Sequence, residues 1–149
     1  CFLLLLCEIL DGEGKKTGLF ITVMGVDSQV FRDHAKKQQK AYIEAQDFEG
    51  QTLITYPVEH SRLDVFSQLL IPANVVPVAV RQAELTAVIL LLVASNRGVS
   101  VLPDWVVREV KYSSDYVTRP LTNKGLKRRL YAAVRSEDRD KPYMEKLIS

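Results

Sequence analysis

Between residues 51 and 102 the hydrophobic pattern alternates between strand-like and helix-like segments, and few architectures accommodate that order. Gln51-Thr-Leu-Ile-Thr-Tyr56 reads as a strand, stopped by Pro57, which has no N–H to offer a ladder. Leu63, Phe66, Leu69 and Leu70 then recur at helical spacing, and Ser61 with Asp64 three residues on is an N-cap signature. Pro72 and Asn74 end that helix, and residues 75–80 form a short strand. Ala87-Val-Ile-Leu-Leu-Leu-Val-Ala94 is apolar nearly all round, which predicts a buried helix. Asn96-Arg-Gly98 supplies its stop, with Gly98 expected in the left-handed cap position. Val99-Ser-Val-Leu102 is one more strand, closed by Pro103. Strands alternating with helices predict an α/β fold, its mixed or mostly parallel sheet covered on both faces.

The flanking segments extend this pattern. Residues 19–26 read as a strand, 105–110 as a helix, 116–120 and 130–135 as strands, and 142–149 as a final helix. The opening run Cys1-Phe-Leu-Leu-Leu-Leu-Cys7 lacks a basic region before it and is far too short to cross a bilayer. It reads as a central strand covered on both faces, followed by the turn signal Asp11-Gly-Glu-Gly14. Residues 32–40 are polar and basic, as a solvated surface is. A chain that opens in mid-strand without methionine is expected to be an excised portion of a longer protein.

Composition excludes several functions. A net charge of +2 gives no strongly basic surface, so this piece is not expected to grip DNA phosphates. Cys1 and Cys7 make no disulfide framework; buried reduced thiols suit a cytoplasmic protein. His34 and His60 form no ligand-spaced pair, so neither a metal nor another cofactor is expected. There is no Gly-x-Ser-x-Gly elbow, and Asp11-Gly-Glu-Gly14 lacks the third glycine and following helix of a phosphate loop. The expectation is a binding domain, not an enzyme.

One place carries binding chemistry, the strand-to-helix junction Tyr56-Pro-Val-Glu-His-Ser-Arg62. In open α/β sheets, ligands settle beyond the carboxyl ends of the strands. A helix start there offers unpaired N–H groups to a carboxylate, and Arg62 adds a bidentate cation. The plainer reading makes Ser61 a cap, Arg62 a surface charge and Tyr56 a half-buried strand residue.

Three stretches resemble the LysR-type transcriptional regulators. They are Thr52-Leu-Ile-Thr-Tyr-Pro-Val-Glu-His-Ser-Arg-Leu-Asp-Val-Phe66, Gly98-Val-Ser-Val-Leu-Pro-Asp-Trp-Val-Val107 and Arg129-Leu-Tyr-Ala-Ala-Val-Arg135. Within the family they are most similar to the branch that governs methionine biosynthesis. Asp33-His34 sits where the family has Asp-His-Pro, with Ala35 replacing the proline.

The resemblance implies a type II periplasmic-binding-protein-like effector domain of two subdomains with the effector between them. It places the end of the first subdomain at residues 1–20, the second at 21–97, and the return to the first at 98–149. A winged helix-turn-helix DNA-binding domain would lie outside this chain. The implied effector is homocysteine. Backbone N–H groups and the Ser61 hydroxyl, with Arg62, would hold its carboxylate. Glu84 or Thr86 would meet its ammonium, with Tyr56 and Pro57 as one wall. Implied partners are promoter DNA through the missing domain, RNA polymerase, and further copies in a homodimer or homotetramer, with no membrane. The competing reading is a lobe of a transporter's solute-binding protein, which has the same architecture.

Overall fold

The computed structural model describes residues 15–25, 32, 41–108, 115–131, 136–138 and 140–148. The expectations for residues 1–10, for the turn at Asp11–Gly14, for residues 33–40 and for Cys1, Cys7 and His34 fall outside them. Six strands form one sheet: β1 (Lys15–Gly25), β2 (Thr52–Thr55), β3 (Ala79–Gln82), β4 (Val99–Pro103), β5 (Tyr116–Pro120) and β6 (Leu126–Tyr131). The order is β3-β2-β4-β1-β5, with β6 pairing β1 off this path. β2 is parallel to both β3 and β4, whereas β1 is antiparallel to β4 and β5. The sheet is therefore mixed, one of the two forms expected from the alternation of strands and helices.

Side chains alternate across a strand, and here both faces are apolar. Leu53, Val99 and Met24 point into one core, with Phe48, Phe66 and Leu70. Ile54, Leu102 and Val23 point into the other, with Ile89, Leu90 and Val93 from helix α1 (Thr86–Ala94) and Val107 from helix α2 (Asp104–Arg108). Covering both faces is what lets β2 and β4 be apolar at successive positions. Between them, Ser100 is fully buried and donates its hydroxyl hydrogen to the Ile54 carbonyl at 2.7 Å.

The chain divides into two compact units. The larger is residues Leu19–Leu126; the smaller is formed by the residues before and after it. In the smaller, helix α3 (Pro142–Ile148) follows Lys141, which pairs with Asp138 and lies 5.8 Å from the Tyr143 ring centre. Within the larger unit, β4 hydrogen-bonds to β2 on one side and to β1 on the other.

Several local expectations are corrected. The left-handed residue after α1 is Asn96 (φ 56), not Gly98. Arg97 N–H donates to Leu92 O at 2.9 Å and Asn96 N–H to Val93 O at 3.0 Å, the paired bonds of a Schellman stop. Asn74 (φ 55) ends the preceding helical segment in the same way, with Val75 N–H on Leu70 O and Asn74 N–H on Ile71 O. Gly98 serves close packing instead: a Cβ there would lie 2.6 Å from the Thr52 carbonyl oxygen. The strand expected at 75–80 begins only at Ala79, after Pro77. The strand expected at 130–135 begins at Leu126, with residues 132–135 outside those described. Finally, α1 is not buried all round. Ile89, Leu90 and Val93 are buried, while Val88 and Leu91 are 40% and 65% exposed.

Candidate functional site

Alternation along β2 decides what its end can touch. Thr55 lies on the Leu53 face and Tyr56 on the Ile54 face, over α1. Tyr56 is half-buried, and its hydroxyl lies 2.5 Å from Thr86 Oγ1 in the first residue of α1. Two of the six expected site residues, 30 positions apart in sequence, thus meet. Leu85, which precedes α1, supplies no side-chain cap, and its carbonyl accepts from Val88 N–H and Ile89 N–H, both at 3.1 Å, so no side chain closes the first turn. Glu84, two residues before the helix, is exposed.

The rest of the junction differs from expectation. Pro57 is exposed, and Val58 N–H closes a tight turn over it onto Tyr56 O at 2.8 Å. His60–Arg62 form a single 3-10 turn, followed by Leu63 in an extended conformation. A π-helical segment, Val65–Leu70, begins beyond it, with Ile71 N–H donating to Phe66 O. Ser61 therefore sits inside the short turn, exposed, and is not an N-cap; neither the turn nor the following segment has a side-chain cap. The extended Leu63 separates Ser61 from the helical segment it was expected to start. Arg62 is exposed. His60 lies flat on Phe66, ring centres 4.1 Å apart and planes 1° from parallel, which anchors the turn to the core beneath.

Among the described residues, two open cavities of the larger unit are lined by none of the six expected residues. One, of about 660 Å³, lies between Tyr42, Gln46, Leu69, Ala73 and Thr122. The other, of about 470 Å³, lies between α2 and strands β1 and β5. Sequence reading also missed Thr22 and Thr55, whose buried hydroxyls have no hydrogen-bond partner. Strand alternation could have paired their faces, but only packing leaves those oxygens unmatched. Among the described residues no group of three or more His, Cys, Asp or Glu side chains is placed to hold a metal ion. No helix among them is long and apolar enough to cross a membrane.

Comparison with known proteins identifies the family and the fold. Residues 30–149 match the LysR substrate binding domain. The chain is 38% identical over 109 residues to the HTH-type transcriptional regulator MetR of Escherichia coli (strain K12), covering 73% of this chain and 34% of that protein. It is 37% identical over 107 residues to MetR of Haemophilus influenzae, covering 72% of this chain and again 34% of the relative. The chain thus spans about a third of the length of these curated relatives. Among solved structures it resembles the regulatory domain of MetR from N. meningitidis, with TM-score 0.74 and 36% identity over 95% of this chain and 64% of that one. The oxidized form of OxyR, at 14% identity and TM-score 0.57, shares the fold. These relatives are transcriptional regulators and not enzymes, and their regulatory domains have the type II periplasmic-binding-protein-like fold. With the family model matching most of its length and its sheet matching that of the MetR regulatory domain, this chain belongs to the LysR family of transcriptional regulators, as part of the effector-binding domain.

Proposed function

We propose that this chain senses homocysteine at the ends of β2 and α1, and that effector binding modulates the DNA binding of the parent regulator. The observation that carries the reading is the Tyr56–Thr86 contact, which gathers polar groups at an uncapped helix start beside the carboxyl end of β2. A helix start of this kind favours a carboxylate. Because Ser61 is not at a helix start, the first turn of α1 is the better seat for that group. Glu84 takes the ammonium, and Tyr56 with Pro57 forms a wall. Ser61 and Arg62 border the opening.

The similarity to MetR motivates an amino-acid effector of methionine metabolism, and the proposal takes the protein as cytoplasmic and working without a further cofactor. The same kinship supports promoter DNA, through a domain outside this chain, as a partner. RNA polymerase and a homodimer or homotetramer complete the proposed assembly. The transporter-lobe reading is not favoured, since the relatives are transcription regulators. Effector binding works by shifting a population of domain states, to the extent of its differential affinity for them.

Isothermal titration of the chain with homocysteine, methionine and homoserine tests the proposal. Saturable binding of homocysteine, weakened at least fivefold by Thr86→Val, is expected. Equal binding of all three, or no effect of Thr86→Val, rejects the site.

A further inference from the structure

Helix α1 carries an apolar face that the rest of the larger unit leaves uncovered. From Leu85 to Ser95 the sequence has no charged residue. Ile89, Leu90 and Val93 fill one side of the helix and are buried with Ile54 and Leu102 of the sheet. On the other side Val88 and Leu91, one turn apart, stand exposed, as does Leu85 just before the helix. The solvent side of a surface helix ordinarily bears polar and charged residues, and a helix apolar all round is one covered all round. Adjoining exposed apolar side chains of this kind mark a surface that another molecule covers.

The charges at the two ends of this face decide what fits it. Glu84 stands at its start and Arg97 at its end, both exposed. Among the described residues neither has an ion-pair partner. Leu91 lies near the midpoint between them in sequence. A second α1 laid antiparallel across Leu91 therefore brings Glu84 of each copy to Arg97 of the other, with the apolar stripes in contact between. This arrangement also sets the positive N-terminal end of each helix beside the negative C-terminal end of its mate. A parallel pair would instead set Glu84 against Glu84 and Arg97 against Arg97. Twofold pairing of one patch with itself is the commonest closed symmetry of oligomers. Glu84 keeps room for the ammonium of the proposed effector, because a carboxylate offers about four lone-pair sites.

We propose that the outer face of α1 is a contact between two copies of this chain, paired antiparallel about Leu91. The proposal rests on the self-association included in the functional reading, to which it gives a surface, and does not depend on homocysteine. One helix face is a small interface, below about 1,200 Å² of total buried surface, where complexes are weak and transient.

Sedimentation equilibrium of the chain from about 10 µM to about 1 mM, the range in which weak complexes saturate, is the test. A monomer–dimer equilibrium is expected. Leu91→Glu should weaken the dimer about tenfold or more, as loss of a central interface side chain does. Arg97→Glu should weaken it about threefold, the scale of an exposed ion pair, and Glu84→Arg combined with Arg97→Glu should restore it. A chain that stays monomeric throughout, or a dimer that a folded Leu91→Glu variant leaves intact, overturns the proposal. So does a double variant that dimerises no better than Arg97→Glu alone, and this charge exchange decides the matter even if Leu91→Glu does not fold. Absence of homocysteine binding by a chain that still dimerises counts against the effector reading and not against this one.

Discussion

The hydroxyl of Tyr56 lies 2.5 Å from Thr86 Oγ1, tying the end of β2 to the first residue of α1. The contact is half-buried, so a net contribution of about 0.5–1.5 kcal/mol is in order for one such bond. Tyr56→Phe keeps the ring in the core and removes only the bond. A stability loss within that range is expected by urea denaturation, and Thr86→Ser should be milder than Thr86→Val because it retains the hydroxyl.

Thr22 and Thr55 carry buried hydroxyls with no partner. Leaving such a group unsatisfied costs about 1–3 kcal/mol, and replacing it by an apolar group of the same shape removes that cost. Thr55→Val should therefore leave stability unchanged or raise it. Ser100→Ala should lower it by about 1 kcal/mol, because the Ser100 hydroxyl is bonded to Ile54 O. A loss for Ser100→Ala and no loss for Thr55→Val in parallel melts is the expected result.

The stops of the helical segments separate backbone conformation from space. Asn96 is left-handed, a conformation that costs a residue with an ordinary Cβ about 1–2 kcal/mol. Asn96→Ala should be destabilising by about 1 kcal/mol and Asn96→Gly close to neutral. Gly98→Ala fails for a different reason, since its Cβ would meet the Thr52 carbonyl oxygen, and overpacking of this sort costs about 1–3 kcal/mol.

Neighbouring leucines on α1 should behave unlike one another. Leu90 is 4% exposed and Leu91 65% exposed. Leu90→Ala should cost about 2–5 kcal/mol, and Leu91→Ala within about 0.5 kcal/mol of nothing in the isolated chain. Chemical denaturation of the two variants side by side checks this.

Burial raises the pKa of Tyr116 above its ordinary value of 10.0. The folded state then holds this proton at a pH where the unfolded chain has released it. The corresponding stability is complete below pH 10 and declines as pH rises through and above that value. Tyr116→Phe should flatten this part of the stability profile between pH 9 and pH 11, measured by urea midpoints.

By itself the sequence determined the class of fold, through features that act locally. Apolar runs such as Thr52–Thr55 and Val99–Pro103 form strands because both faces of a covered sheet are dry. The same locality made the family resemblance readable, since its motifs are contiguous stretches. The start and stop of helices were less legible, because Asn and Gly compete for the left-handed position and only hydrogen-bond geometry decides between them. Ser61 illustrates the limit. Its spacing to Asp64 suited a cap, yet the extended Leu63 broke the helix between them.

Only the tertiary structure decided which distant residues share a place. Thr86 joins Tyr56, and Thr22 and Thr55 are left unpartnered, because strand register and helix placement set those distances. The place of β4 has the same origin: hydrogen bonds on both its edges hold it between β2 and β1. Long-range pairing of this kind depends on the whole packed core, and no local pattern encodes it.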